Sequence, residues 1–219
     1  MQQLKLLEAK LANHGILLSE AQMICLYKYI EILLDWNKRT NLVSKNDESR
    51  IVERHIGESL SVPHVIDLPT GGCVMDLGSG AGFPGLPLKI IRPDLNMVLV
   101  ESKRKKTLFL KEVTELLNLS GLEIITKRVE NLDTKRQRTF DIVIARAVAT
   151  ISILWKWSEP YLKTNGALIA MKGAGADKEI LHLTQTDNNL TIQQVSIPAH
   201  FADTAKKRML IVVRKGVEK

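Results

Sequence analysis

Cysteine is scarce in this sequence, and long apolar runs are missing altogether. Cys25 and Cys73 are the only two cysteines among 219 residues, and each lies within an apolar stretch far from the other. Such a pair provides neither a disulfide framework nor zinc-ligand spacing, so we expect two small buried hydrophobic side chains and no metal. No uncharged apolar run approaches the ~18 residues of a membrane span, and MQQLKLLEAK at the start lacks the apolar segment of a secretory signal. We therefore expect a cytoplasmic protein without a membrane partner.

The overall charge is basic. Lysine and arginine number 31 against 24 acidic residues, which gives a net charge of +7 at pH 7 and a pI near 9.4. A charge balance of this kind informs on partners rather than on fold. It agrees with an anionic partner such as a nucleic acid, and equally with a basic protein that has no such partner.

The first 66 residues predict helices. Ser19 followed by Gln22 is typical of a helix start, and apolar residues then recur every three or four positions over 23–36. A second helical pattern covers 47–66, and the polar WNKRTNLVSKND between the two is typical of a turn. We assign residues 1–66 to an N-terminal helical extension.

The remainder of the chain predicts a doubly wound α/β sheet. Helical patterns, clearest at 103–118 and 150–162, alternate with short apolar segments typical of buried parallel strands. These segments are CVMDLG, NMVLVE, LEIITK, FDIVIA and GALIAMK. Two further strand-like runs, 191–198 and 206–215, have no helix between them and predict an antiparallel pair at one edge. We assign 67–219 to one compact domain without internal repeats.

The segment VMDLGSGAGFPG contains a G-x-G-x-x-G pattern between a predicted strand and a helix. Gly80 and Gly82 allow the backbone to turn sharply and to approach a ligand closely. Glu101 ends the next strand, 21 residues after Gly80, where a carboxylate can accept hydrogen bonds from ribose hydroxyls. The pattern is compatible with a nicotinamide dinucleotide, with another nucleoside cofactor, or with a turn that binds nothing.

Asp76 helps to distinguish these alternatives. It lies two residues before Gly78, where a carboxylate would repel a pyrophosphate but would attract the ammonium and sulfonium of S-adenosylmethionine. An aspartate at a strand end can also do no more than hydrogen-bond to loop backbone. We favour the methyl-donor site over loop support alone, and over a dinucleotide site.

Arg146 follows the fourth predicted strand and is expected at the reacting end of the cofactor. Methylation of an exocyclic base amine commonly uses an Asn/Asp-Pro-Pro-aromatic loop, and C5 methylation of a pyrimidine needs a cysteine nucleophile. The sequence has neither the loop nor a suitably placed cysteine. An arginine is a poor general base because it stays protonated. An acceptor that needs no deprotonation, such as guanine N7, fits these absences. Arg146 could then bind a substrate phosphate or the donor's carboxylate, unless it only forms a salt bridge above the sheet.

Basic residues from several segments are expected around this cleft. Clustered lysines and arginines add salt-dependent affinity for the phosphates of a nucleic acid. Our candidates for RNA contact are Arg54, His55, Lys103, Arg104, Lys105 and Lys172.

Taken together and in order, these segments resemble the ribosomal RNA small subunit methyltransferase G family, also called glucose-inhibited division protein B. The resemblance covers nearly the whole chain through WNKRTNLVS, IVERHIGESL, VMDLGSGAGFPGLPLKIIRPDLNMVLVESKRKKTLFL, RVENL, FDIVIARAVA and LIAMKG. It implies a class I, Rossmann-like methyltransferase fold with an N-terminal helical extension. It also implies methyl transfer from S-adenosylmethionine to N7 of a guanosine in 16S ribosomal RNA, free or in a ribosomal particle. We expect a monomer.

The resemblance also implies residue roles. Val129 and Glu130 would contact the adenine and Glu101 the ribose, whereas Glu58 replaces an aspartate that is frequent in the family. The contacts carried over by motif are Gly78, Phe83, Glu101, Val129 and Glu130 for the donor, and Arg146 for the donor or the substrate. Two other functions stay open from the residues alone: an NAD-dependent oxidoreductase, and an RNA-binding module with a vestigial cofactor loop.

Overall fold

The computed structural model describes residues 2–202 and 207–216 and contains one seven-stranded sheet. The strands are β1 (Cys73–Leu77), β2 (Asn96–Val100), β3 (Leu122–Ile125), β4 (Phe140–Arg146), β5 (Leu162–Lys172), β6 (Leu190–Ser196) and β7 (Met209–Lys215). Their order is β3-β2-β1-β4-β5-β7-β6; β1 to β5 are parallel, whereas β7 is antiparallel to β5 and to β6. The predicted doubly wound sheet with an antiparallel pair at one edge is confirmed. Residue 206, where we expected the last strand to begin, lies outside the described residues.

Helices cover both faces of the sheet and precede it. They are α1 (Gln2–Ala12), α2 (Glu20–Asn37), α3 (Lys45–Glu48), α4 (Glu58–Val65), α5 (Gly85–Ile91), α6 (Arg104–Leu116), α7 (Ile151–Ser158) and α8 (Ala176–Thr186). The predicted start of α2 is confirmed: the Ser19 hydroxyl accepts from the Gln22 N–H, and the Gln22 side chain accepts from the Ser19 N–H.

The single helix predicted over 47–66 is wrong in detail. The chain forms α3, then a π-helical turn at Ile51–Gly57, and only then α4. Gly57, the last residue of the π turn, lies against the backbone of Phe201. A Cβ at position 57 would lie 1.9 Å from the Phe201 carbonyl oxygen, so only glycine fits there. The apolar pattern predicted helical character but not the wider turn.

The N-terminal helices share a hydrophobic core with one face of the sheet. Leu26 of α2 and Leu60 of α4 belong to the same buried cluster as Phe109 of α6 and Ile142 of β4. The other face forms a second core around α7 and α8. Tyr29 joins the extension to the sheet directly, since its buried hydroxyl donates to the Ala81 carbonyl at 2.5 Å.

Two expectations about composition meet the structure here. Cys25 and Cys73 are free thiols that are half-buried, so the expectation of buried side chains is correct only in part. Each packs on the edge of a core rather than inside it, Cys25 on the face shared with the extension and Cys73 on the opposite one. Among the described residues, no helix is long and apolar enough to cross a membrane.

Candidate active site

The glycine loop follows β1 at the carboxyl edge of the sheet. Gly78, Gly80 and Gly82 have φ angles of +74°, +59° and +91°, which side-chain-bearing residues rarely adopt. A Cβ on Gly78 would lie only 2.6 Å from Cγ2 of Val148. Glycine at position 78 therefore serves both the backbone conformation and the close approach of the loop after β4.

Asp76 lies beneath this loop and has no exposed surface. Its Oδ2 accepts from the Gly85 N–H at 3.0 Å, whereas its Oδ1 has no hydrogen-bond partner within residues 2–202 and 207–216. Burial raises the pKa of Asp76 to about 7. The observed contact thus agrees with the alternative in which Asp76 supports the loop through its backbone, and direct contact with a methyl donor stays a prediction.

A first cavity, which we call the Glu101 cavity, has a volume of about 200 Å³. Glu101 accepts from the Gly80 N–H at 3.0 Å and from the Lys103 N–H at 2.8 Å, so both carboxylate oxygens are fixed by backbone. A carboxylate has further lone pairs with which to accept hydroxyl protons. The lining residues are Leu77, Gly78, Val100, Glu101, Ser102, Lys127, Arg128, Val129, Glu130, Val148 and Trp157.

The Glu101 cavity brings together several predicted residues and adds Trp157, which sequence reasoning missed. Val129 and Glu130, in a short 3-10 turn after β3, line it with Glu101, and their contact with an adenine stays a prediction. Val148 also lines it, two residues after Arg146 in the segment that the sequence places at the reacting end of the cofactor.

A second cavity, which we call the Arg146 cavity, measures about 260 Å³ and shares Gly78 with the first. It is lined by Leu42, Val43, Ser44, Asp47, His55, Gly78, Ser79, Gly80, Ala81, Phe83, Lys106, Arg146 and Ala147. The segment from Leu42 to Asp47 had no predicted site role. WNKRTNLVS, quoted only for the family resemblance, was the signal that could have found it.

Arg146 is held from two sides within this second cavity. Its Nη2 donates to His55 Nδ1 at 2.5 Å and lies 3.8 Å from the Glu58 carboxylate. Its guanidinium carbon is 5.9 Å from the centre of the Phe83 ring, on which the His55 ring also stacks. Burial lowers the pKa of Arg146, while the charge of Glu58 opposes that shift. The predicted salt-bridge alternative for Arg146 therefore has a geometric basis, without excluding a ligand contact.

His55 is neutral in this environment. Burial, followed by the charge of Arg146, lowers the pKa of His55 to about 3. A neutral ring accepts a hydrogen bond from Arg146 at Nδ1 and carries its own proton on Nε2. Within the described part of the chain, His55 Nε2 and Arg146 Nη1 are buried without hydrogen-bond partners. These two donors lie on residues that line the cavity.

The backbone after β4 divides the two cavities. Ala147 has a φ of +55°, a conformation that alanine rarely adopts and that costs on the order of 1 kcal/mol or more. The residues on either side of it line different cavities, Arg146 the second and Val148 the first. The strained residue thus lies where the two cavities adjoin.

The predicted RNA-binding residues fall into two groups. Lys103, Arg104 and Lys105 are exposed at the start of α6, directly after Glu101. In contrast, Arg54 pairs with Asp47, and the Lys172 ammonium lies 2.8 Å from the Glu179 carboxylate and donates to the Ala149 carbonyl. Lys106, Lys127 and Arg128 add basic side chains to the cavity walls beside Arg146. RNA contact by any of them stays a prediction.

This sheet order, with a glycine loop after the first strand and an acid after the second, defines a class I S-adenosylmethionine-dependent methyltransferase fold. Among solved structures, an S-adenosylmethionine-dependent methyltransferase from Aquifex aeolicus superposes with a TM-score of 0.56 at 15% identity, covering 77% of this chain and 95% of that one. A putative S-adenosylmethionine-dependent methyltransferase from Methanococcus maripaludis gives 0.55 at 12% identity, covering 75% and 86%.

The chain belongs to the rRNA small subunit methyltransferase G family, which matches residues 22–210. The ribosomal RNA small subunit methyltransferase G of Staphylococcus carnosus is 37% identical over 174 residues, 78% of this chain and 72% of that one. The proteins of the same name from Clostridium beijerinckii and Streptococcus suis are 34% and 33% identical. They cover 92% and 95% of this chain and 85% and 89% of their own.

Proposed function

We propose that this protein transfers the methyl group of S-adenosylmethionine to N7 of a guanosine in 16S ribosomal RNA. As a member of its family it is an S-adenosylmethionine-dependent ribosomal RNA methyltransferase, which decides against the nicotinamide alternative. The observation that supports the placement of the reaction is the junction of the Glu101 and Arg146 cavities at Gly78. S-adenosylmethionine supplies a methyl group on an electrophilic sulfonium.

The residues of the first cavity fit the nucleoside part of this cofactor. Glu101 is fixed by two backbone N–H groups and can still accept from the ribose diol. Val129 and Glu130 would border the adenine, and the absence of a side chain at Gly78 lets Val148 complete the wall of the cavity. The methionine end would then extend past the glycine loop toward Phe83 and Arg146.

The residues of the second cavity can position an acceptor but are poorly suited to act as a base. Guanine N7 carries an in-plane lone pair and no proton, so its methylation requires none. Arg146 keeps its proton, and the His55 ring nitrogen that lacks one already accepts from Arg146. Burial acts to raise the pKa of Asp47, but the Ser44 hydroxyl and the charge of Arg54 outweigh it and hold that pKa below its ordinary value. Positioning by Arg146 is the contribution we propose.

The remaining proposals concern the surroundings of the site. Residues 1–66 would form a helical extension that supplies one wall of the Arg146 cavity, and 67–219 the transferase domain. The exposed Lys103, Arg104 and Lys105 would contact the phosphates of the RNA, with affinity that falls as salt rises. We propose a monomer that acts in the cytoplasm, on free RNA or on a ribosomal particle.

The test is methylation of unmodified small-subunit RNA with labelled S-adenosylmethionine, followed by mapping of the methylated nucleotide. We expect label at one guanosine N7. Arg146→Ala should abolish transfer while Asp76→Asn mainly weakens donor binding, and Arg39→Ala, on an exposed pair with Asp35, serves as control. Full activity of both site variants would overturn the site assignment. RNA binding without donor binding would favour the vestigial-loop alternative.

A further inference from the structure

We propose that Glu58 and Arg208 are positioning residues that fix the guanidinium of Arg146 for methyl transfer. The inference rests on the proposed function, because that function places Arg146 at the reacting end of the cofactor. Neither Glu58 nor Arg208 lines either cavity, so both would act through Arg146 rather than on a substrate.

The geometry places one carboxylate between two arginines from distant parts of the chain. Glu58 opens α4 directly after the π turn, and its side chain is only 5% exposed. Its Oε1 accepts from Arg208 Nε at 2.9 Å, and its Oε2 lies 3.8 Å from Arg146 Nη2. Glu58 therefore joins the end of β4 to the residue that precedes β7.

Among the surrounding charges, Glu58 is the one that most favours the charged form of Arg146. The cations Arg54 and Arg208 both oppose the charged form of Arg146, and His55 beside it is neutral. Asp47 favours the charged form as well, but it is bound to Arg54. Loss of the Glu58 charge would leave a buried guanidinium with insufficient compensation. Its side chain would then shift away from the position set by His55 and Phe83.

Two glycines leave room for this arrangement. A Cβ on Gly173, the glycine of LIAMKG, would lie 2.7 Å from Arg208 Nη1. A Cβ on Gly57, which precedes Glu58, would collide with the Phe201 carbonyl oxygen. Arg208 therefore approaches the end of β5, and Phe201 the π turn, at positions where no side chain intervenes.

The primary test is Glu58→Gln, which keeps the shape of the side chain and removes its charge. A displaced reactive group costs about 100-fold in rate, so we expect kcat to fall by that factor while the donor Kd from calorimetry stays unchanged. Glu58→Asp, which keeps the charge, should recover a substantial part of kcat. Lys207→Gln is the matched control, since Lys207 is adjacent in sequence to Arg208 and its ion pair with Asp177 is exposed. Equal kcat for Glu58→Gln and the control would overturn the proposal.

A double-mutant cycle separates positioning from general structural support. If Glu58 acts through Arg146, Glu58→Gln should cause little further loss of kcat/KM in an Arg146→Lys background. A further loss as large as that in the native background would contradict the proposal. Native activity of Arg146→Lys and of Arg146→Ala would instead overturn the proposed function. An inactive Arg146→Ala with a fully active Glu58→Gln would overturn only this inference.

Arg208→Gln keeps the test decisive if Glu58→Gln does not fold. Glu58 then retains Arg146 as a partner, so we expect a smaller loss of kcat, about tenfold, again without a change in donor Kd. Gly173→Ala should act in the same direction by displacing the Arg208 guanidinium. Native kcat in both variants would contradict the proposal.

Discussion

The two cavities that meet at Gly78 are built in different ways. The Glu101 cavity is formed by residues at the carboxyl ends of neighbouring strands and in the loops and helix that follow them, and its acid is fixed by local backbone N–H groups. The Arg146 cavity is closed by the N-terminal extension, through Leu42 to Asp47 and His55. Arg146 and His55 contact each other there, and the buried atoms Arg146 Nη1 and His55 Nε2 lack hydrogen-bond partners among the described residues.

This difference indicates how donor and acceptor binding depend on the fold. Under the proposed assignment, the donor side uses the sheet and the loops and helices at its carboxyl edge, an arrangement that a class I methyltransferase sheet supplies. The acceptor side requires the extension to pack on the sheet, so it is the part in which members of this fold can differ. Substitutions in the two cavities should therefore separate donor affinity from RNA recognition.

The largest effect is expected for Glu101→Ala on the donor side. Hydrogen bonds to a charged group contribute about 1.5–3 kcal/mol each, so the loss of two should weaken donor binding about 100-fold or more. Calorimetry with S-adenosylmethionine measures this, with Glu112→Ala on the exposed face of α6 as control. Unchanged donor affinity would contradict the assignment of the Glu101 cavity.

Asn37→Ala should affect the acceptor side instead. The buried Asn37 carboxamide accepts from the N–H groups of Leu42 and Val43 and donates to the Val43 carbonyl. Removal of these bonds should lower the free energy of unfolding by about 2–3 kcal/mol. The KM for RNA should rise while the donor Kd is unchanged, and Asn13→Ala, at an exposed position, is the control. An equal rise in donor Kd would contradict the separation of the two cavities.

His55 should make stability depend on pH. Its pKa is about 3 in the folded protein against an ordinary value of 6.5, so below pH 6.5 the unfolded chain binds a proton that the folded protein does not. The stability from this group is present above pH 6.5 and is lost as the pH falls toward 3. Urea unfolding between pH 7 and 4.5 measures how the free energy of unfolding falls with falling pH. We expect the native protein to lose up to ~1.4 kcal/mol more per pH unit than His55→Gln does. Parallel curves would contradict a buried neutral His55.

Tyr29→Phe should have the smallest effect. Loss of the buried hydroxyl that donates to the Ala81 carbonyl should lower the free energy of unfolding by about 1 kcal/mol. Donor affinity should fall only slightly, because the glycine backbone conformation is preserved. Thermal unfolding and calorimetry measure both quantities, with the half-buried Tyr27→Phe as control. A loss of donor binding as large as that of Glu101→Ala would show that the extension also controls the donor side.

The sequence by itself determined the class of the protein and several of the residues that line the Glu101 cavity. Short buried strands alternate with helices along the chain, and the position of Glu101 directly after its strand follows from that alternation. The glycine pattern required backbone conformations that Gly78, Gly80 and Gly82 adopt. These features depend on neighbours in sequence or on adjacent strands, so a pattern of residue types is sufficient to predict them.

Only the tertiary structure decided the form of the second cavity. The π turn at Ile51–Gly57 ends where Gly57 lies against the backbone of Phe201, a contact between positions far apart in the sequence. Arg146 contacts His55 across 91 positions of sequence, and Glu58 contacts Arg208 across 150. Because burial and neighbouring charges set the protonation and orientation of these groups, their roles follow from packing rather than from residue type.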